Sequence, residues 1–268
     1  MWSFLYGRNH GKVEIILDNA PSRSAELLAQ NRVDAALVPV IAYQNIEGVR
    51  LVPDVCVGAR EKVRSVCLMT EGKDLEDVRS VALDTSSLTS VVLTKIIFRE
   101  FLGFEPKWRS AEPDIDTMLS EADCALVIGD PALRITAITG RNETVMESVT
   151  NANTLVHTRV SARAFDLAQL WHQHTNLGFV FAMWMTRHDN ISIDFVSARD
   201  DGLAHLEEII TNYANDISLS AVEMKEYLSQ NISYSIDESM RRGMELYFEL
   251  AAKNGLIREN RSLQFVES

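Results

Sequence analysis

Runs of β-forming residues alternate with amphipathic helical segments through the middle of the chain, and this alternation restricts the possible folds more than any other feature. The clearest unit reads VRSVALD, then a helix from about Leu88, then FEPKW. A second unit places a helix before a strand at 125–128, and Asp130-Pro131 then opens another helix. Because parallel strands need a crossover, usually a helix, the sequence predicts an α/β fold with a parallel or mixed sheet whose faces are covered.

The remaining segments extend this organisation to the whole chain. Further strands are predicted at 12–18, 35–40, 49–59, 63–70 and 177–185, a helix at 164–176, a polar loop at 139–153, and amphipathic helices at 202–213, 220–228 and 237–253. We expect two lobes with a cleft between them. Lobe I would consist of 1–77 and 187–268, and lobe II, 78–186, would be inserted in it. Two lobes that close on a cleft are a common way to hold small ligands.

The charge balance argues against one class of function. The 268 residues carry a formal net charge of -12, and their Lys and Arg residues do not cluster. Nucleic-acid binding usually requires a basic face, so we expect no nucleic-acid partner. No apolar run approaches the ~20 residues that span a bilayer, and we expect no membrane partner and a cytoplasmic location. An anionic ligand must then be bound locally, by helix N-termini and a few cations.

Cysteine and histidine usage favours neither a disulfide framework nor a metal site. Cys56, Cys67 and Cys124 lie in apolar runs without a C-x-x-C spacing, which indicates buried, reduced thiols. His172 and His174 are two positions apart and would face different sides of a helix. We expect no metal and no other cofactor, and the oligomeric state stays open.

Hydroxyl side chains crowd the point where the strand VRSVALD becomes a helix. They follow Asp84 and are Thr85, Ser86, Ser87, Thr89 and Ser90. A helix start leaves up to about four N–H groups without intrahelical partners, and one or two hydroxyls suffice to cap them. The other hydroxyls, with the free N–H groups and the helix dipole, suit a carboxylate or ring hydroxyl of a ligand. Neither a glycine-rich loop nor a lysine accompanies them, which argues against a phosphate site of the Walker type.

Two other segments are candidates for the cleft. In GAREKVRSV, Arg64 is the best candidate to bind a ligand carboxylate, because a guanidinium can donate two parallel hydrogen bonds to it, and Ser65 is its neighbour. A solvated hairpin is the alternative for this segment. In VIGDPAL, Gly129 and Asp130 follow a buried strand, where they either start a helix or line the cleft.

Several motifs together resemble a known family. They occur in this order: CVGAREKVRSV, VRSVALDTSSLTSVVL, ADCALVIGDPAL and FDLAQLWHQHTNLGFVFAMW. They resemble the chorismate dehydratases of the futalosine route to menaquinone, over most of the chain. The resemblance implies an α/β, two-lobed fold like that of type II periplasmic binding proteins, used as an enzyme without metal or nucleotide. It also implies the removal of water from chorismate to give 3-[(1-carboxyvinyl)oxy]benzoate.

The resemblance also implies roles for the candidate residues. Ser86 would act directly in catalysis, Arg64 and Ser65 would bind an anionic group, and Asp84 would order the turn. The general base is not identified. By the same resemblance, Ser87, Thr89 and Ser90 would contact the substrate. From their positions at strand ends, we also expect substrate contacts from Thr85, Gly129 and Asp130.

The sequence also departs from this family. In family members, a strand and a motif similar to Ser-Tyr-Leu-Asn-x-x-Pro precede the segment that matches WSFLYG. This sequence does not contain that motif. TNLGFVF also replaces the more usual Thr-Gly-Leu-Pro pattern. Two alternatives to a chorismate dehydratase stay open. One is an enzyme similar to 1,4-dihydroxy-6-naphthoate synthase, and the other is a protein that binds small carboxylates without turnover.

Overall fold

The strands of the computed structural model form two β-sheets among the described residues, which are 1–17, 21–139, 162–217 and 219–267. The strands are β1 Ala35–Pro39, β2 Arg50–Ala59, β3 Val66–Glu71, β4 Ser80–Asp84, β5 Lys107–Ala111, β6 Cys124–Ile128, β7 Ala162–Asp166 and β8 Phe179–Thr186. The α-helices are α1 Trp2–Leu5, α2 Pro21–Ala29, α3 Ala42–Asn45, α4 Leu88–Ile96, α5 Ile115–Glu121, α6 Asp130–Thr139, α7 Leu167–Thr175, α8 Phe195–Ala204, α9 Leu206–Ile217, α10 Ala221–Glu226 and α11 Glu238–Lys253.

The two sheets differ in strand direction. In the three-stranded sheet, β8 lies between β1 and β2 and is antiparallel to both. The five-stranded sheet has the order β5-β4-β6-β3-β7. Here β4 is parallel to β5 and β6, whereas β3 is antiparallel to β6 and β7. The predicted strand–helix–strand unit is confirmed, because α4 connects β4 to its parallel neighbour β5 in a mixed sheet.

The chain crosses between the two sheets twice within the described residues. It passes from the smaller sheet to the larger one between β2 and β3, at 60–65, and returns between β7 and β8, at 167–178. Strand pairing thus places β3 in the larger sheet and β8 in the smaller one. The lobe boundaries expected from the sequence, 1–77 with 187–268 and 78–186, stay a prediction.

A hydrophobic core joins the sheets through α4, α7 and α11. Trp171 of α7 is fully buried and packs edge-on against Phe179 of β8, with ring centroids 5.4 Å apart. Tyr247 of α11 lies 5.1 Å from the same Phe179 ring, and its hydroxyl donates to the Thr89 carbonyl at 3.0 Å. Burial of each such side chain contributes about 1.5–3 kcal/mol. The first turn of α4 is therefore fixed to the core.

Two predicted elements are wrong. The strand predicted at 12–18 is absent over its described residues, because no described strand runs beside it and a lone strand leaves its N–H and C=O groups unpaired. The helix predicted at 164–176 begins only at Leu167, because its first three residues complete β7 by pairing with β3. The loop predicted at 139–153 lies outside the described residues, apart from its first position.

Candidate active site

The carboxyl ends of β4 and β6 and the amino end of β3 meet at one edge of the five-stranded sheet. This follows from strand direction, because β4 and β6 are parallel neighbours and β3 pairs antiparallel with β6. The predicted site residues lie at these three strand ends, at 84–90, 129–130 and 64–65. One hydrogen bond joins two of the segments directly, from the Gly129 N–H to the Ser65 carbonyl at 2.7 Å. The fold thus gathers segments that are far apart in the sequence.

Asp84 orders the turn at the end of β4. The residue is 1% exposed, and its Oδ1 accepts hydrogen bonds from the Ser86 N–H at 2.8 Å and from the Ser86 hydroxyl at 2.6 Å. A carboxylate that binds the backbone two residues on is a common way to hold a tight turn. The half-buried Ser86 hydroxyl therefore gives its proton to Asp84 and keeps its oxygen lone pairs for another donor.

The first turn of α4 retains unpaired donors. Ser87 occupies the N-cap position, but its hydroxyl makes no capping bond. Within the described part of the chain, the backbone N–H groups of residues 88–90 have no acceptor. The side-chain hydroxyls of Ser87 and Ser90 also lack a partner there, although the two residues are only 8% and 2% exposed. Free N–H groups and hydroxyls at a helix N-terminus together form a suitable anion site.

The other two hydroxyls of the cluster have different surroundings. Thr89 Oγ1 accepts a hydrogen bond from the Ile41 N–H at 3.4 Å, which joins α4 to the segment after β1. Thr85 is exposed and lines a cavity of about 290 Å³ beside α4 and β5, together with Lys95 and Trp108. Thr89 is thus placed to hold α4, and the predicted substrate contacts of both threonines stay predictions.

The Arg64 backbone adopts a left-handed conformation with φ 64°, which residues other than glycine rarely take. The Asp166 carboxylate accepts hydrogen bonds from the Arg64 N–H at 2.5 Å and from the Val63 N–H at 3.1 Å. It also caps α7 through the Gln169 N–H at 3.0 Å. Burial raises the pKa of Asp166, and the backbone hydrogen bonds oppose this rise. Ser65, which follows Arg64, is buried.

Tyr227 is a site residue that the sequence did not indicate. It follows α10 at the start of a π-helical turn. The Ser65 side chain and the charges of Asp130 and Arg64 all act on the pKa of its hydroxyl. Burial raises the pKa of Tyr227 further above neutral pH, and the protonated phenol can donate a hydrogen bond. No motif marks this residue, because its contacts come from distant parts of the chain.

Gly129 and Asp130 occupy the turn between β6 and α6. Gly129 has φ 70°, a conformation that favours glycine, and its neighbourhood leaves room on the side where a Cβ would lie. Asp130 is the first residue of α6 and is exposed. The Gly129 N–H is bonded to the Ser65 carbonyl, and the charge of Asp130 acts on the pKa of Tyr227. The predicted role of both residues in substrate binding stays a prediction.

The described residues contain no group of three or more side chains that could hold a metal ion. In the same part of the chain, no helix is long and apolar enough to cross a membrane. Cys56, Cys67 and Cys124 are buried and unpaired, as predicted. Burial raises the pKa of Cys56 to about 12, so this thiol is unreactive at neutral pH.

The chain is similar to proteins of known function. Residues 2–253 match the family described as menaquinone biosynthesis. The chain belongs to this family. Its similarity to the chorismate dehydratase of Thermus thermophilus is 30% identity over 241 residues, which covers 87% of this chain and 85% of that relative. The stretch that matches the menaquinone biosynthesis family contains all the described strands and every candidate site residue.

Solved structures support the fold expected for this member of the menaquinone biosynthesis family. Protein AF1704 from Archaeoglobus fulgidus is similar with a TM-score of 0.61 and 16% identity, covering 96% of this chain and 94% of that one. The Candida albicans CA3427 gene product, which has the generic periplasmic binding protein fold, gives a TM-score of 0.60 and 11% identity over 95% of this chain and 87% of that one. At such identities the likeness shows the fold alone. The predicted two-lobed, periplasmic-binding-protein-like α/β class is confirmed.

Proposed function

We propose that this member of the menaquinone biosynthesis family removes water from chorismate to give 3-[(1-carboxyvinyl)oxy]benzoate. We further propose that it acts in the cytoplasm, as a step of the futalosine route. The activity is supported by the chorismate dehydratase of Thermus thermophilus, to which the chain is similar over most of both lengths. That relative also favours dehydration over the alternative of a 1,4-dihydroxy-6-naphthoate synthase-like reaction.

The observation that carries the proposal is the set of unpaired donors at the start of α4. Chorismate carries two carboxylates, and a protein with a net charge of -12 must bind them with local donors. The free N–H groups of residues 88–90 and the Ser87 and Ser90 hydroxyls suit one carboxylate. The Arg64 guanidinium, at the amino end of β3 and two strands away from β4, suits the other. The site would thus hold the ring of chorismate between two anion-binding ends.

The chemistry requires little beyond orientation and proton transfer. The ring of chorismate loses a proton and a hydroxyl group and becomes aromatic, so the driving force lies in the substrate. The protein needs to orient the ring, accept the proton and assist the departing hydroxyl. In this proposal Ser86 accepts the ring proton while its own hydroxyl proton passes to Asp84, a step that the hydrogen bond between the two side chains supports. The protonated Tyr227 phenol would donate a hydrogen bond to the departing group.

Turnover distinguishes this function from simple carboxylate binding. Purified protein is incubated with chorismate, the products are separated by liquid chromatography, and chorismate binding is measured in parallel by isothermal titration calorimetry. We expect 3-[(1-carboxyvinyl)oxy]benzoate to form in proportion to the chorismate consumed. Heat of binding without product would instead support the small-carboxylate-binding alternative.

A further inference from the structure

Asp166 connects the two segments that carry the chain between the sheets. The first, 60–65, joins β2 to β3, and the second, 167–178, joins β7 to β8. Asp166 stands directly before the second segment, and its carboxylate accepts hydrogen bonds from the Val63 and Arg64 N–H groups of the first. One buried side chain therefore fixes the two crossings relative to each other.

These bonds go beyond what a helix cap requires. Asp114 and Asp194 also cap helices, α5 and α8, and each accepts a hydrogen bond from the backbone N–H three residues on. Both are exposed. Asp166 is only 6% exposed, and it accepts from Val63 and Arg64 in addition to its own capping bond. Because a buried carboxylate is costly to desolvate, the added bonds indicate that the turn at 63–64 must be held.

The bonds hold the Arg64 backbone and leave its side chain unengaged. The Arg64 carbonyl accepts a hydrogen bond from the Thr136 hydroxyl at 3.3 Å, and the next carbonyl, of Ser65, accepts one from Gly129. The left-handed Arg64 backbone is thus bonded on both sides of the residue. Within the described residues, the partly exposed Arg64 guanidinium has no hydrogen bond and no ion pair. A fixed backbone with an unpaired guanidinium at the site edge is an arrangement that suits recognition of an anion.

We propose that Asp166 is a positioning residue that fixes the Arg64 turn and so directs the Arg64 guanidinium at a carboxylate of the substrate. The inference rests on the proposed function, because it takes chorismate as the ligand. Asp166 acts through Arg64 and touches no substrate atom. Its role is thereby distinct from the one proposed for Ser86, which would act on the reacting ring.

Asp166→Asn separates the two tasks of the carboxylate. Asn is as good a helix cap as Asp, so its single side-chain oxygen can keep the bond to the Gln169 N–H. Its amide nitrogen then faces the N–H groups of Val63 and Arg64 and cannot accept from them. We expect KM for chorismate to rise about tenfold while kcat changes by less than about threefold, since uniform binding is lost. Asp194→Asn, an exposed cap, is the matched control and should change neither constant.

A double-mutant cycle with Arg64→Gln tests whether Asp166 acts through Arg64. In the Arg64→Gln background, Asp166→Asn should raise KM by less than about twofold, because the guanidinium that it positions is gone. Equal effects in both backgrounds would overturn the inference, as would an unchanged KM in Asp166→Asn alone. If Asp166→Asn does not fold, Asp166→Ser, which keeps a capping oxygen but is too short to bind both crossings, takes its place in the cycle.

Chorismate affinity by titration calorimetry separates this inference from the proposed function. Wild-type protein that binds chorismate without turning it over would contradict the dehydratase proposal, and the same cycle would then be read in Kd instead of KM. A Kd that weakens about tenfold in Asp166→Asn, with coupling to Arg64, would still support the positioning role. Wild-type protein that does not bind chorismate would overturn both proposals.

Discussion

The Ser86 hydroxyl lies 2.6 Å from Oδ1 of the buried Asp84 carboxylate, which also accepts the Ser86 backbone N–H at 2.8 Å. Both bonds close the turn between β4 and α4. They also set the orientation of the Ser86 side chain, because its proton is committed to Asp84. The serine to which the family resemblance assigns a catalytic role is therefore held by the carboxylate two residues before it, and that bond sets the direction of its oxygen.

Ser86→Ala should lower kcat by about 100-fold, because a positioned proton-transfer group is lost, and change KM little. The turn should persist, since the Ser86 N–H bond to Asp84 does not involve the side chain. Steady-state kinetics and a thermal unfolding midpoint check both points. Ser120→Ala, which removes an exposed hydroxyl on α5, is the control. Wild-type kcat in Ser86→Ala would contradict the assignment of this serine.

Ser87→Ala and Ser90→Ala should each raise KM by about fivefold to tenfold, because a hydroxyl donor to a substrate carboxylate is lost. Their free energies of unfolding should change little, since neither hydroxyl has a partner within the described residues. Substrate titrations and denaturant unfolding measure the two effects separately. A marked loss of stability without a change in KM would show that the hydroxyls serve the helix and not the ligand.

Thr94→Val removes another hydroxyl from α4 and is a control for the Ser87 and Ser90 variants. The Thr94 hydroxyl is fully buried and has no hydrogen-bond partner within the described part of the chain. Replacing it with a methyl group of similar size should raise the free energy of unfolding by about 1 kcal/mol, because an unsatisfied buried polar group is removed. Kinetic constants should not change. A destabilised Thr94→Val protein in urea unfolding would show that this hydroxyl does find a partner.

Tyr227→Phe should lower kcat by about tenfold, since the neutral phenol placed beside Ser65 can no longer donate to the departing hydroxyl. Tyr213→Phe is the control, because Tyr213 is exposed and its hydroxyl lies within hydrogen-bond distance of the exposed Tyr6 hydroxyl. The pH profile of kcat gives a second readout. Identical kinetics in the two variants would remove Tyr227 from the mechanism.

Asp123 should make stability depend on pH below about 4. A hydrogen bond from Lys73 lowers its pKa from 3.8 to about 2, with further bonds from the Arg79 N–H and the Ser80 side chain. Because the folded-state pKa is depressed, the stabilisation is present above the unfolded value and is lost as pH falls through about 2. Because solvent screens this partly exposed pair, the stabilisation is on the order of 1 kcal/mol. Asp123→Asn should remove this component of the acid dependence, measured by urea unfolding between pH 5 and pH 2, about the range of the two pKa values.

Much of the site could be predicted because it follows from local order. The pattern VRSVALD followed by hydroxyls specifies a strand end and a helix start, and parallel strands must present their carboxyl ends at one edge. Arg64 and Gly129 come to the same edge because their strands are neighbours in the sheet. Local sequence signals thus sufficed for site residues that lie at the ends of the strands and helices that the pattern itself predicts.

Other parts of the site depend on long-range packing, which no local pattern encodes. Tyr227 lies after α10, and only the folded chain brings it to Ser65. The sequence predicts Asp166 to lie inside a helix, because the residues that follow it have a helical pattern. In the structure Asp166 is the last residue of β7, which pairs with β3, and this pairing leaves no local sequence signal. The strand predicted at 12–18 failed for a related reason, since its alternating pattern says nothing of whether a neighbouring strand is present.

Proton NMR of chorismate in the presence of the purified protein tests the central claim most directly, because it observes the ring and the enolpyruvyl group of the substrate at once. The account predicts that the ring signals of chorismate disappear, that the aromatic signals of a meta-substituted benzoate replace them, and that the enolpyruvyl methylene signals persist. An unchanged chorismate spectrum with folded protein would contradict it, as would loss of the enolpyruvyl signals.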